Sequence, residues 1–197
     1  LAELVAATHA GMSTDEFERI VSDWISSAKH PKLGRLYTEL AYAPMLEVLV
    51  LLAASGFENY IVTGGGVEFV RPWARAVYGV PPERVVGSSA KTEYAPAGGP
   101  GGAPALMRRP EIFFVNDGPG KPSGIHLHIG RRPAAAFGNS DGDYEMLKWA
   151  TAGAHPPPGG GPAAGGAPRA RPARLGLVVH HTDAAREYAY DAASHFG

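Results

Sequence analysis

A threonine followed by three glycines, Thr63-Gly64-Gly65-Gly66, is the first pattern in the chain that could do chemistry. It follows a β-branched run at residues 59–63 that predicts a strand, and it precedes a helical pattern at residues 67–78. A hydroxyl group and bare backbone amides at a helix N-terminus are well suited to holding a phosphate. A tight strand-to-helix turn explains the same residues. The run matches neither the dinucleotide fingerprint nor the P-loop.

A second pattern is the polar run Gly138-Asn139-Ser140-Asp141-Gly142-Asp143, which follows a predicted strand at residues 134–137. Carboxylate oxygens at a strand end are the hard ligands that Mg²⁺ prefers. A helix N-cap is the alternative, because Asp and Asn are favoured there for hydrogen bonding. Two aspartates and an asparagine within five positions favour a metal site.

Lys121, in the run Asp-Gly-Pro-Gly-Lys-Pro, is the third candidate. It stands at the start of a predicted helix at residues 121–129, where the helix dipole disfavours a positive charge. A negatively charged partner would compensate for that cost. Taken alone, Lys121 is more simply interpreted as a solvated surface lysine.

The elements that must position these residues are strands alternating with helices, which predicts an α/β fold built on a parallel sheet. Ligands bind such sheets beyond the carboxyl ends of their strands. The predicted helices cover residues 1–28, 42–55, 67–78, 121–129, 141–151 and 183–190. The predicted strands cover residues 59–63, 85–89, 134–137 and 175–179, with a hairpin at 90–115.

Composition limits the classes of function. The 197 residues carry a net charge of −1, which removes the general electrostatic case for binding nucleic acid or an anionic membrane. With no cysteine there is no disulfide, thiolate nucleophile or cysteine zinc site. The 26 glycines and 18 prolines concentrate in two loop-like tracts, residues 96–104 and 153–173. Without a visible signal peptide or long apolar run, we expect a soluble cytoplasmic protein.

The order of the three candidate motifs resembles motifs two, three and four of the haloacid dehalogenase (HAD) superfamily of phosphohydrolases. Residues 57–89, 129–153 and 175–191 resemble its bacterial acid-phosphatase-like subgroup. The resemblance implies a Rossmann-like, three-layer parallel sheet with a helical cap inserted between the first and second motifs. Residues 1–35 would be a remnant of that cap, and residues 36–197 would be the core with its two loop tracts.

The resemblance also implies a function, the Mg²⁺-dependent hydrolysis of a small phosphomonoester through an aspartyl-phosphate intermediate. Thr63 would hydrogen-bond the transferring phosphoryl group, with Gly64 and Gly65 contacting it. Lys121 would neutralise the negative charge that builds on the phosphoryl group. Side-chain oxygens of Asn139, Asp143 and Asp141, which follow the fourth-motif strand, would hold Mg²⁺. Asn139 stands where many relatives have Asp.

The family's first motif, an apolar strand running into D-x-D-G-T, is missing before Thr63. The aspartates there are Asp15 and Asp23, both in polar helical surroundings. Asp141-Gly142-Asp143 has the D-x-D spacing but stands in the fourth-motif position. Since the chain also begins at Leu1, we expect an N-terminal part with the nucleophile and the first strand to be lost, and the chain to be inactive. The alternative is a non-catalytic remnant or pseudoenzyme that binds phosphate, metal or a protein.

The histidines suggest a further metal site only weakly. His126 and His128 lie two apart on a predicted helix and so point in different directions. His180 and His181 end the last predicted strand, where one of them could contact substrate or support the metal site. Surface or structural roles are the simpler interpretation of both pairs, and a zinc or nickel site using His126 and His128 is the remaining alternative.

Overall fold

The computed structural model describes residues 9–152 and 174–180, which form an α/β fold. The described helices are α1 (Thr14–Ile25), α2 (Ala43–Ala54), α3 (Val67–Tyr78), α4 (Gly120–Ile129) and α5 (Tyr144–Thr151). The described strands are β1 (Ile61–Gly66), β2 (Val85–Ala95), β3 (Ala105–Phe114), β4 (Ala135–Gly138) and β5 (Leu175–Val178).

The strands form two separate sheets, whereas the sequence predicted a single parallel one. In the first sheet β1 runs parallel to β2, and β2 runs antiparallel to β3. In the second sheet β4 runs parallel to β5. The two sheets are separate because β1 and β4 each pair with one strand only within the described ranges. The other edge of β1 and the other edge of β4 have no strand partner there.

Each sheet has its own apolar core. Helices α3 and α5 have their apolar positions on one face, so that α3 covers the first sheet and α5 covers the second. The first core contains Val67, Val70, Ala74, Val80 and Val85. The second core contains Ile125, Ala136, Met146, Leu147 and Ala150.

Helix α1 begins at a capping box and packs on α3 and β3. The Ser13 hydroxyl accepts the Glu16 N–H, and the Glu16 carboxylate accepts the Ser13 N–H. Buried Phe17, Val21 and Ile25 recur every four residues and therefore lie on one face. The predicted helix at residues 1–28 was too long at both ends, since residues 9–13 and 26–28 are not helical; residues 1–8 lie outside the described residues.

Most other predicted elements are confirmed. The helix at 67–78 is α3, the helices at 42–55 and 121–129 are α2 and α4, and the strand at 175–179 is β5. The hairpin consists of β2 and β3, and the first glycine-proline tract, residues 96–104, connects them. The helix predicted at 141–151 starts instead with a short 3-10 turn, Asp141–Asp143, before α5. The second tract and the helix at 183–190 lie outside the described residues.

No helix in the described ranges is long and apolar enough to cross a bilayer.

Candidate functional site

The candidate site lies where three segments meet, namely the end of β1, the loop after β3 and the turn after β4. The N–H of Gly118, in the loop after β3, donates to the carbonyl oxygen of Gly142 after β4 at 3.2 Å. The Asp117 side chain lies against Gly142 and also against Gly64, where an added Cβ would lie 3.1 Å from Asp117 Oδ1. The fold therefore brings the glycine run and the acidic run to one edge, as expected for the carboxyl ends of parallel strands.

Lys121 is buried at this edge, with 6% of its surface exposed. Its Nζ donates to the carbonyl oxygen of Val62 in β1 at 2.9 Å and to Asp143 Oδ1 at 2.6 Å. The simpler interpretation of Lys121 as a solvated surface lysine is therefore wrong. The negatively charged partner that its place at the start of α4 requires is Asp143.

Asp143 is held from both sides by the protein. While Oδ1 accepts from Lys121, Oδ2 accepts the N–H groups of Asn139 at 2.9 Å and Ser140 at 3.1 Å. Gly138 leaves room for this arrangement, because a Cβ there would collide with the Asp143 side chain. Both oxygens of the predicted metal ligand Asp143 are thus engaged. Its neighbours Asn139 and Asp141 are half-buried.

The glycine run forms the exposed end of β1 and leads directly into α3, so that the strand predicted at residues 59–63 continues through the glycines instead of stopping at a turn. The Thr63 hydroxyl accepts the Gly65 N–H at 3.0 Å, and Gly64 and Gly65 are exposed. Helix α3 begins without a side-chain cap, so that its first amides are not used by a neighbouring side chain. Gly87 in β2 allows this close packing, since a Cβ there would lie 2.9 Å from both Gly65 O and Thr63 Cγ2.

Asn116 holds the Thr63–Gly66 segment in place through hydrogen bonds. The sequence patterns did not point to this residue. Its side chain is fully buried and donates through Nδ2 to the carbonyl oxygen of Thr63 at 2.8 Å. Its backbone N–H donates to Ser88 Oγ at 2.9 Å, and the Ser88 hydroxyl donates to Gly64 O at 2.7 Å. The available signal was the position of Asn116 and Asp117 just beyond the end of β3, from which Val115 alone separates them.

Asp117 is the second residue that the sequence analysis missed. It places an exposed carboxylate between the end of β1 and the turn that follows β4. Within the described ranges, no three or more His, Cys, Asp or Glu side chains gather in a way that could hold a metal ion. His126, His128 and His180 are exposed, and His181 lies outside the described residues.

A cavity of about 400 Å³ adjoins the glycine run at Gly66 and Ser88. Phe17, Trp24 and Phe69 give it aromatic walls. Arg108 at its edge pairs with Glu68 and lies 4.0 Å from the centre of the Phe17 ring. Burial lowers the pKa of the Arg108 guanidinium from its ordinary value. The cavity therefore combines aromatic surface with a neutralised charge pair.

Comparison with known proteins supports the fold alone. No family model and no curated protein matches the chain. It is similar to a conserved, functionally unknown protein from Anaerococcus prevotii DSM 20548 (TM-score 0.54, 20% identity, 71% of this chain and 42% of that one). It is also similar to a protein of unknown function from Bordetella pertussis Tohama I (TM-score 0.53, 16% identity, 75% of this chain and 60% of that one). The chain thus spans less than two thirds of either solved structure, and both likenesses agree with an α/β fold.

Proposed function

We propose that this chain is the phosphate-binding part of a Mg²⁺-dependent phosphomonoester hydrolase of the HAD type. The observation that carries the proposal is the buried Lys121 ammonium, fixed between Val62 O and Asp143 beside Thr63 and the exposed glycines that follow it. A three-layer Rossmann-like sheet and a cytoplasmic location belong to the same proposal.

The proposed division of labour follows from the groups present. The Thr63 hydroxyl accepts the Gly65 N–H, and its own proton remains to be donated to a phosphoryl oxygen. The backbone N–H groups at the start of α3, which no side chain caps, supply further donors. Lys121 supplies a fixed positive charge. Phosphoryl transfer depends mainly on such positioning and charge stabilisation.

Mg²⁺ fits the donor chemistry of the site. Mg²⁺ is commonly held by one or two carboxylates together with phosphate oxygens and water, so a large acidic cluster is not required. Asp117, Asn139 and Asp141 would hold it, while Asp143 positions Lys121 and the Asn139 backbone. The ion would neutralise charge on the phosphoryl oxygens. Ligation by Asp143 itself, as the sequence suggested, would require giving up one of its present partners.

A nucleophilic carboxylate is the part that the described residues do not supply. Asp143 is committed to Lys121, Asp117 and Asp141 are assigned to Mg²⁺ in this proposal, and Asp15 lies in the first turn of α1. We therefore propose that this chain binds phosphate without turning over a phosphomonoester. The same observation favours a second candidate, a non-catalytic module that binds phosphate or a protein partner. An in-frame D-x-D-G-T after an apolar run upstream of the chain would distinguish the enzyme from the module.

The test measures binding and turnover separately. Inorganic phosphate with Mg²⁺ is titrated while the amide resonances of Gly64 and Gly65 are followed, and hydrolysis of p-nitrophenyl phosphate is assayed in parallel. Thr63→Val is expected to weaken phosphate binding about tenfold, the size of one lost hydrogen bond to a charged group. Thr92→Val, on an exposed part of β2, is the matched control.

Phosphate that binds without moving these resonances, or equally well to Thr63→Val, would exclude the proposed site. Turnover of p-nitrophenyl phosphate by the unaltered chain would show that the chain carries its own nucleophile. It would contradict the expected inactivity.

A further inference from the structure

The cavity of about 400 Å³ beside the glycine run lies between α1, the start of α3 and strands β2 and β3. We call it the aromatic cavity. In its α1 wall Phe17 and Val21 are buried, whereas Ile20 and Trp24 are 45% and 48% exposed. Each pair stands one helical turn apart, so the apolar face of α1 is wider than the surface it covers. The cavity therefore leaves apolar surface in water that an occupant could cover.

The exposed Trp24 ring is held in place by other aromatic rings. It stacks on Tyr37, with ring centres 5.6 Å apart and planes inclined by 27°, and its centre lies 5.7 Å from that of Phe69. Phe69 in turn meets Trp73 edge-to-face at 6.4 Å. Because these rings brace one another, the wall is formed in advance and loses little side-chain entropy on binding. A flat ring gains most from such a wall, since ring contacts add to the burial of area.

The charged groups at the cavity compensate each other. Arg108, in β3, is buried and forms an ion pair with Glu68 in the first turn of α3. Its guanidinium lies 4.0 Å from the centre of the Phe17 ring, and its Nε donates to the His9 carbonyl oxygen at 3.3 Å. A neutral group could therefore enter without breaking these interactions. A quaternary ammonium group also suits aromatic walls, but here it would meet a paired carboxylate and a neighbouring guanidinium.

The aromatic cavity adjoins the proposed phosphate site. Gly66 and Ser88 line it, and Gly66 directly precedes α3, which has no side-chain cap. The Ser88 hydroxyl donates to Gly64 O at 2.7 Å, so that a hydrogen bond joins the cavity wall to the glycine run. An ester whose phosphate lies at the glycine run would thus have this cavity as the adjoining apolar space for its organic group.

We propose that the aromatic cavity binds the organic group of the phosphomonoester, and that this group is a neutral aromatic ring system. The ring packs against Trp24 and Phe69 while its phosphate lies at the glycine run. The inference rests on the proposed function, which supplies the phosphate site. A volume of about 400 Å³ is near the lower end of the range for ligand pockets, roughly 300 to 1,000 Å³, and suits one or two rings.

The test compares ligands on the unaltered chain in the presence of Mg²⁺, following the indole N–H resonance of Trp24 and the amide resonance of Gly64. We expect 1-naphthyl phosphate to bind at least tenfold more tightly than glycerol 1-phosphate or phosphocholine, which carry a phosphate group without a neutral ring. It should shift both resonances. Inorganic phosphate should shift that of Gly64 alone, and 1-naphthol should shift that of Trp24 alone.

A variant pair tests the wall itself. Trp24→Ala should weaken the binding of 1-naphthyl phosphate about tenfold and leave that of inorganic phosphate unchanged. Phe113→Ala is the matched control, because it removes an aromatic side chain that is 77% exposed and does not line the cavity. It should change the affinity for neither ligand.

The outcomes separate this inference from the proposed function. If 1-naphthyl phosphate binds no more tightly than glycerol 1-phosphate while inorganic phosphate still shifts Gly64, the inference is overturned and the proposed function stands. Tighter binding of phosphocholine would overturn it in favour of a cation site. If inorganic phosphate fails to shift Gly64, the proposed function is overturned and this inference with it, even where 1-naphthol still shifts Trp24.

Discussion

Lys121 Nζ lies 2.6 Å from Asp143 Oδ1, and both side chains are only 8% exposed. The pair joins the first turn of α4 to the 3-10 turn that follows β4. Removing two charges from water is expensive, and their attraction recovers the cost only when further hydrogen bonds satisfy both groups. Here Val62 O and the backbone N–H groups of Asn139 and Ser140 provide those bonds.

Replacing one partner of this pair should be strongly destabilising. Lys121→Met leaves the Asp143 carboxylate buried without its cation, and we expect a loss of about 3–5 kcal/mol in the free energy of unfolding. The double variant Lys121→Met/Asp143→Leu should lose less than the sum of the single variants. Urea denaturation measures all three. Additive losses would show that the two charges do not interact.

Gly124 is expected to tolerate no side chain, because a Cβ there would overlap Asn116 Oδ1. Asn116 is fully buried and bound to Thr63 O, so it cannot easily move aside. Gly124→Ala should cost about 1–3 kcal/mol, the range for overpacking a core. It should also shift the amide resonance of Gly64, which Ser123→Ala, on an exposed site of the same helix, should not. An unchanged stability would contradict the contact.

The N-cap of α1 gives a prediction for Ser13. Its hydroxyl accepts the Glu16 N–H, and Ser13 is buried. Ser13→Ala should lower stability by about 1 kcal/mol, the usual cost of losing an N-cap. Ser22→Ala, exposed on the same helix, should change it much less. Thermal unfolding followed by circular dichroism compares the two, and equal effects would argue against the cap.

Glu16 should make stability depend on pH in a known direction. Hydrogen bonds from the Ser13 backbone and hydroxyl lower the pKa of the Glu16 carboxyl group. A lowered pKa means that its stabilising contribution is present above the ordinary glutamate value and is lost as pH falls through the native value. Glu16→Gln should therefore flatten the fall of the thermal midpoint on acidification. Glu18→Gln is the control, and an equal flattening by both would contradict the assignment.

Local sequence signals predicted much of the secondary structure. Helix α3 was predicted at residues 67–78 because its apolar periodicity ends at Gly79, which adopts the left-handed conformation that glycine favours. The tract at residues 96–104 was predicted as a loop because its glycines and prolines suit neither helix nor strand. The start of α5 was placed too early, since the capping residues Ser140 and Asp143 first form a 3-10 turn.

The sequence by itself determined the type and order of the elements and the candidate residues Thr63, Lys121 and Asn139. Only the tertiary structure decided that Lys121 is buried and paired with Asp143, and that Asn116 supports the Thr63–Gly66 segment. It also decided that the strands divide into two sheets. Helical periods and turns depend on residues a few positions apart, whereas burial and strand pairing depend on segments that meet only when the chain folds.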